Sequence, residues 1–224
     1  TDWLEEHKFE YDVITDEDLE QDGVSILSDY QVIVTTTHPE YYTLNMFKAL
    51  EDLLGIGGRL MYMGGNGFYW RIAFHKELPG VIEVRRITGT RAWEVAPGEG
   101  VHSFTGEAGG LWRHNNRSPN RLCGVGFAAQ GFDRSSYFRR GSDADNPRAA
   151  FAFQNVEDTI LGDFGLIGGG AAGMEIDRFD PHLGSPRHAL VLASSEEHSA
   201  AHVVAVEDIF NNYLGTDGEQ NSLV

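Results

Sequence analysis

Residues 31–63 restrict the fold more than any other stretch of this chain. The run 31–37 holds Val32, Ile33 and Val34 followed by three threonines, and such a β-branched run predicts a strand. Thr43 then offers a helix cap, and Leu44, Phe47, Leu50, Leu53 and Leu54 recur at three- and four-residue spacing, which predicts an amphipathic helix. Gly57-Gly58 stops that helix, and 59–63 reads as another strand running into Gly64-Gly65-Asn66-Gly67. Upstream, 11–15 reads as a short strand, and 16–30 as a polar helix capped by Thr15 or Asp16. Alternating strands and helices predict an α/β fold, a parallel sheet with helices on both faces. Ligands of such sheets sit beyond the carboxyl ends of the strands. The site is therefore expected in the loops after Thr15, Thr37 and Met63.

The pattern changes at Gly67. Between 67 and 140, short strand-like runs at 81–87 and 122–127 are separated by Gly, Asn and Pro, which predicts a large β-hairpin insertion. The stretch 141–147 reads as a polar loop, 150–153 and 188–192 as strands, and Gly168-Gly169-Gly170 as a turn. A helix is expected around 204–213 and a flexible end over 215–224. No repeat or linker divides the chain, so 1–224 reads as one domain. The acidic start without an initiator Met predicts that the gene product extends upstream.

Composition excludes several function classes. A formal net charge of −17 argues against nucleic acid and against an anionic membrane surface, both of which need clustered Lys and Arg. No apolar run approaches the roughly 20 residues that span a bilayer. The single cysteine, Cys123, rules out an internal disulfide and a cysteine metal cluster, and fits a cytoplasmic setting. Cys123 lies in an apolar run that reads as a buried strand, which predicts an inert thiol. There is no Gly-x-Ser-x-Gly elbow, no His-Glu-x-x-His zinc signature and no phosphate-binding lysine loop.

Three constellations could carry chemistry. His38-Pro39-Glu40-Tyr41-Tyr42 follows the strong strand and places metal-capable and proton-transfer groups at the mouth of the sheet. The same residues also suit a plain helix entry, with Pro fixing the turn and Glu facing the helix dipole. Glu107 stands among the glycines of 106–110, which would let a carboxylate approach a ligand closely, or simply make a tight turn. Glu175, Asp177 and Asp180 surround Arg178; they could orient a water or form an ion-pair network.

These motifs, with Gly64–Gly67, 126–133 and 189–195 in order, resemble the C-terminal region of the N,N-dimethylformamidase large (beta) subunit over nearly the whole chain. The resemblance implies a flavodoxin-like, class I glutamine amidotransferase-like domain that has no cysteine near Gly65-Asn66-Gly67, where an amidotransferase would carry its nucleophile. It also implies hydrolysis of a small N-substituted amide to amine and carboxylic acid, with a mononuclear Fe(III) held by two Tyr and one Glu. Hard oxygen ligands suit that ion. Carried onto this chain, Tyr41 and Glu107 become metal ligands. Tyr11 is a candidate for the second phenolate, although it opens a strand, and that ligand could also lie upstream of Thr1. Glu175 and His38 become acid–base candidates, and Asn66 a substrate-binding candidate. A small subunit and homo-oligomerisation are implied as partners of the full-length enzyme. The alternative is a non-catalytic amidotransferase-like module that binds a small molecule or a subunit.

Overall fold

The computed structural model describes residues 1–35, 37–89 and 92–204. Its best-packed element is the helix predicted from Thr43. Helix α3 spans Leu44–Gly55, and the Thr43 hydroxyl accepts from the Met46 amide. Met46, Phe47, Ala49, Leu50 and Leu53 form its buried face, packed with Leu19, Leu27, Phe68 and Trp112. Each such large apolar side chain contributes about 1.5–3 kcal/mol by leaving water.

Strands β1 (Ile33–Val34) and β3 (Leu60–Met61) pair in parallel around this helix, with Val34 beside Met61. Ile33, Leu60 and Tyr62 pack toward α3, while Val32, Val34, Met61 and Met63 are exposed. Between them in sequence, β2 (Tyr41–Tyr42) pairs in parallel with β4 (Trp70–Phe74), which pairs antiparallel with β5 (Ile82–Val84). The remaining described strands make two antiparallel sheets. In one, β6 (Gly126–Gln130) lies between β9 (Glu175–Arg178) and β11 (Val203–Val204). In the other, β7 (Tyr137–Arg140) lies between β8 (Ile160–Leu161) and β10 (Ala193–Glu196). No helix among the described residues is long and apolar enough to cross a membrane.

Several local expectations are corrected. Residues 11–15 form no strand: Thr15 is spent as the cap of α2 (Asp16–Asp22) in a reciprocal box with Asp18, and Val13 is exposed. That helix ends early, at Gly23 with φ +59, and continues only as a 3₁₀ turn over Gly23–Ile26. The run 122–127 is split by Gly124 (φ +89): Pro119–Cys123 is helix α4, and β6 starts only at Gly126. Cys123 therefore closes a helix instead of lying in a strand. Residues 150–153 form a 3₁₀ turn because the amides of Ala149 and Ala150 are already taken by the Asn146 carbonyl. The polar loop 141–147 contains the 3₁₀ turn Ser142–Asp145. The strand expected at 188–192 begins only at Ala193. Val204 lies in β11, and the rest of the helix expected at 204–213, with the end at 215–224, lies outside the described residues.

One buried carboxylate organises the excursion after β4. The Glu83 side chain, 8% exposed, accepts from the amides of Ser103 and Phe104 (2.9 and 3.0 Å) and from the Arg85 guanidinium (2.8 and 2.6 Å). Burial alone would raise its pKa, but these donors overrule it and hold the carboxyl at about 2, against an ordinary 4.5. Its stabilisation is therefore present above pH ~4.5 and is lost as pH falls through ~2. Glu83→Ala leaves two amides and a guanidinium without their acceptor. We expect a loss of about 2–3 kcal/mol at pH 7, read from the midpoint of urea unfolding.

Candidate active site

The site is assembled by backbone before any side chain enters it. The loop after β1 is stitched to the segment after β3: the Gly65 amide donates to the Thr37 carbonyl (3.2 Å), Phe68 to Pro39 (2.7 Å), and Tyr69 and Trp70 to Glu40 (3.0 and 2.8 Å). This holds Glu40 and Tyr41 beside the Gly64–Gly67 turn. Strand β9 then brings Glu175 against Gly65, where a Cβ would already touch the Glu175 carbonyl oxygen at 3.4 Å. The result is a pocket of about 130 Å³ lined by Glu40, Tyr41, Asn66, Tyr69, Trp70, Arg86, Phe127, Gln130 and Glu175. That is well under the ~300 Å³ at the lower end for drug-sized ligands, so it suits a ligand of a few heavy atoms. Of the three loops in which a site was expected, those after Thr37 and Met63 border it; the loop after Thr15 supplies no lining residue.

Tyr41, Asn66 and Glu175 thus share one pocket. His38 joins them from the rim: its Nε2 lies 3.2 Å from a Glu175 carboxylate oxygen, with the imidazole half exposed. The Tyr41 phenol oxygen accepts from Arg86, whose guanidinium also lies 5.0 Å from the Trp70 ring centroid and 5.6 Å from that of Trp93. Asn66 is 5% exposed and adopts φ +56, a conformation disfavoured for non-glycine residues but least so for Asn and Asp. Its side-chain carbonyl oxygen is buried without a hydrogen-bond partner. A buried polar atom in that state costs about 1–3 kcal/mol, a penalty that only a partner with a hydrogen-bond donor, such as a water, would relieve.

Two residues proposed from sequence lie elsewhere. Glu107 is ion-paired to Arg71, which is itself buried and stacked 5.0 Å from the Trp112 ring centroid. The Tyr11 hydroxyl donates to Glu5 at 2.8 Å near the start of the chain. Neither lines the pocket. Tyr42, next to Tyr41, points into the core. Among the described residues, no three His, Cys, Asp or Glu side chains are grouped to hold a metal. The oxygen donors that do line the pocket are the carboxylates Glu40 and Glu175 and the phenols Tyr41 and Tyr69. Carboxylate and phenolate together are the hard donor chemistry that suits a ferric ion.

Tyr69, Arg86 and Tyr62 carry no signal in the sequence, and Glu40 and Asp177 stand out there only as members of their runs, without a place at this pocket. Asp177, on β9, accepts from the Asn66 amide at 3.1 Å and from the Tyr62 hydroxyl at 2.6 Å. The Tyr62 oxygen in turn accepts from the Gly67 amide at 2.7 Å. Burial pushes the Asp177 carboxyl up to about 6, against the two donors and nearby Arg113, which favour its charged form. Burial and the neighbouring Asp177 also push the Tyr62 phenol well above its usual value. Cys123 is held just as firmly neutral: burial raises its thiol to about 12, and it faces the carbonyls of Pro119 and Val125. We expect it to react with iodoacetamide in the native protein orders of magnitude more slowly than a free thiol.

Because the folded-state pKa of Asp177 is raised, the folded protein holds that proton more tightly than the unfolded chain. The stabilisation is complete below pH ~4 and is lost as pH rises through ~6, amounting to roughly 3 kcal/mol. In Asp177→Asn this component disappears. The wild-type stability relative to the variant should therefore fall between pH 4 and pH 7 in urea titrations. A constant difference across that range would contradict the assignment.

Comparison with known proteins identifies the family of the chain. The family described as N,N-dimethylformamidase beta subunit-like, C-terminal, matches residues 1–222. The chain is 43% identical over its whole length to a protein of Paracoccus aminophilus named N,N-dimethylformamidase beta subunit, and 42% identical to one of the same name from Alcaligenes sp.. It spans 29% of the length of each. The chain belongs to the N,N-dimethylformamidase beta subunit-like, C-terminal family.

Proposed function

We propose that this chain supplies the amide-binding and proton-handling part of an iron-dependent hydrolase that cleaves a small N-substituted amide, such as N,N-dimethylformamide, to amine and carboxylic acid. The observation that carries this reading is the meeting of Glu40, Asn66 and the Glu175–His38 pair at one small pocket. The names of the relatives support it independently.

In this reading, the Asn66 side-chain N–H donates to the substrate carbonyl oxygen. Glu175, oriented by His38, accepts a proton from the attacking water as its oxygen bonds to the carbonyl carbon. The same pair returns a proton to the departing nitrogen as the C–N bond breaks, releasing amine and, from dimethylformamide, formate. Tyr69, Trp70 and Phe127 provide apolar walls for the N-substituents. Glu40 is the pocket carboxylate that would serve as an iron ligand, with phenolates from Tyr41 and Tyr69 or from polypeptide outside these 224 residues. A bound ferric ion would supply Lewis-acid polarisation and a more acidic water. An amidotransferase-like sheet, continued from β1 and β3, is the proposed scaffold, and a companion subunit the proposed partner.

Two measurements on full-length protein test this reading. Glu175→Gln should lower kcat for dimethylamine release by about 10²–10⁴-fold, as expected for loss of a general acid–base group. Glu40→Gln should remove bound iron and its tyrosinate charge-transfer band, with Tyr41→Phe and Tyr69→Phe showing which phenolates contribute. Full activity and iron content in both Glu variants would overturn it. A binding module without catalysis would instead retain affinity for the amide and show no turnover in the wild type.

A further inference from the structure

The Gly64-Gly65-Asn66-Gly67 turn is shaped to present one side chain. A Cβ at Gly64 would run into the Thr37 carbonyl, and one at Gly67 into the Tyr62 ring. At Gly65 any longer side chain would press on Glu175. Asn66 alone carries a functional group; it lines the pocket, with its side-chain carbonyl oxygen buried and unpartnered.

We propose that Asp177 is a positioning residue for this site: it holds the Asn66 amide directly and the Gly67 amide through the Tyr62 hydroxyl, locking the turn in the shape that places the Asn66 side chain to donate its N–H to the carbonyl oxygen of a small amide. This rests on the reading of the pocket as an amide-hydrolysing site. Each carboxylate oxygen of Asp177 has its own donor, so the two ends of the Asn66–Gly67 peptide unit are fixed together. Asn66 and Phe68 both take φ +56, and such conformations persist only where surrounding structure over-determines them. Asp177 and Glu175 stand two residues apart on β9 and so project to the same side of the strand. Opposite them, β6 carries a register irregularity between Phe127 and Ala129, a device that re-aims side chains beside sites. One short strand thus brings a proton-handling carboxylate to the pocket and a positioning carboxylate beneath it.

The test is a double-mutant cycle in the full-length enzyme, with N,N-dimethylformamide as substrate and kcat and KM measured separately. We expect Asn66→Ala and Asp177→Asn each to lower kcat/KM by about 10–100-fold, the scale of a misplaced substrate contact. The double variant should be no worse than Asn66→Ala alone, since both remove the same contact. Losses that multiply, or wild-type kinetics in Asp177→Asn beside an impaired Asn66→Ala, would overturn the positioning role while leaving the pocket reading intact. Wild-type kinetics in Asn66→Ala would overturn both. Should Asp177→Asn fail to fold by circular dichroism, Tyr62→Phe, which removes only the link to Gly67, is cycled against Asn66→Ala with the same expectations.

Discussion

A carboxylate buried between a sheet and a glycine turn is costly to desolvate, and the geometry of this pocket hangs on one. Asp177 faces two donors that come from residues more than 100 positions away in sequence, the Tyr62 hydroxyl and the Asn66 amide. Without an acceptor there, a left-handed Asn66 and a left-handed Phe68 would have no reason to coexist in one turn. The neighbouring loop depends on the same turn: Phe68, Tyr69 and Trp70 donate the amides that fix Pro39 and Glu40. The side chains of the pocket are thereby supported by a continuous hydrogen-bonded frame and not by their own packing alone.

Two carboxylates of the described residues, Glu83 and Asp177, are desolvated with opposite electrostatic results. Glu83 is surrounded by enough donors to remain ionised far into the acid range, and it works as an anchor for the loops after β5. At Asp177 desolvation by burial prevails over its two donors and raises the carboxyl. The difference lies in the count and charge of the partners: Glu83 has two amides, a hydroxyl and a guanidinium, whereas Asp177 has one amide and one hydroxyl.

A local element is legible in the sequence where cap and apolar spacing agree within one run, and partners distant in sequence leave no such mark. Helix α3 was legible because its cap and its apolar spacing are both contained within twelve or so consecutive residues. The parallel partners β1 and β3 were legible from the β-branched run before that helix and the run 59–63 after it. The strand expected at 11–15 was not realised, since a strand needs a partner and that pairing leaves no mark in the run itself. The carboxylates show the same limit. Glycines around Glu107 suggested close approach to a ligand, yet Arg71 claims that side chain, and nothing near Glu107 announces it. Glu40 was visible in the His38–Tyr42 run, but its place at the pocket follows from hydrogen bonds to 69 and 70 that only the fold creates. His38, Asn66 and Glu175 came from motif order, and the fold brings these three together.

The glycine turn has a consequence for how this pocket can diversify. Neighbouring backbone closes in on Gly64 and a tyrosine ring on Gly67, so both positions are held to glycine. Asn66, at φ +56, is held in turn to the few residues that tolerate a left-handed backbone, chiefly Asn, Asp and Gly. The frame therefore restricts the pocket to a short carboxamide, a short carboxylate or no side chain at all, and any broader change of ligand chemistry must come from the walls around the turn.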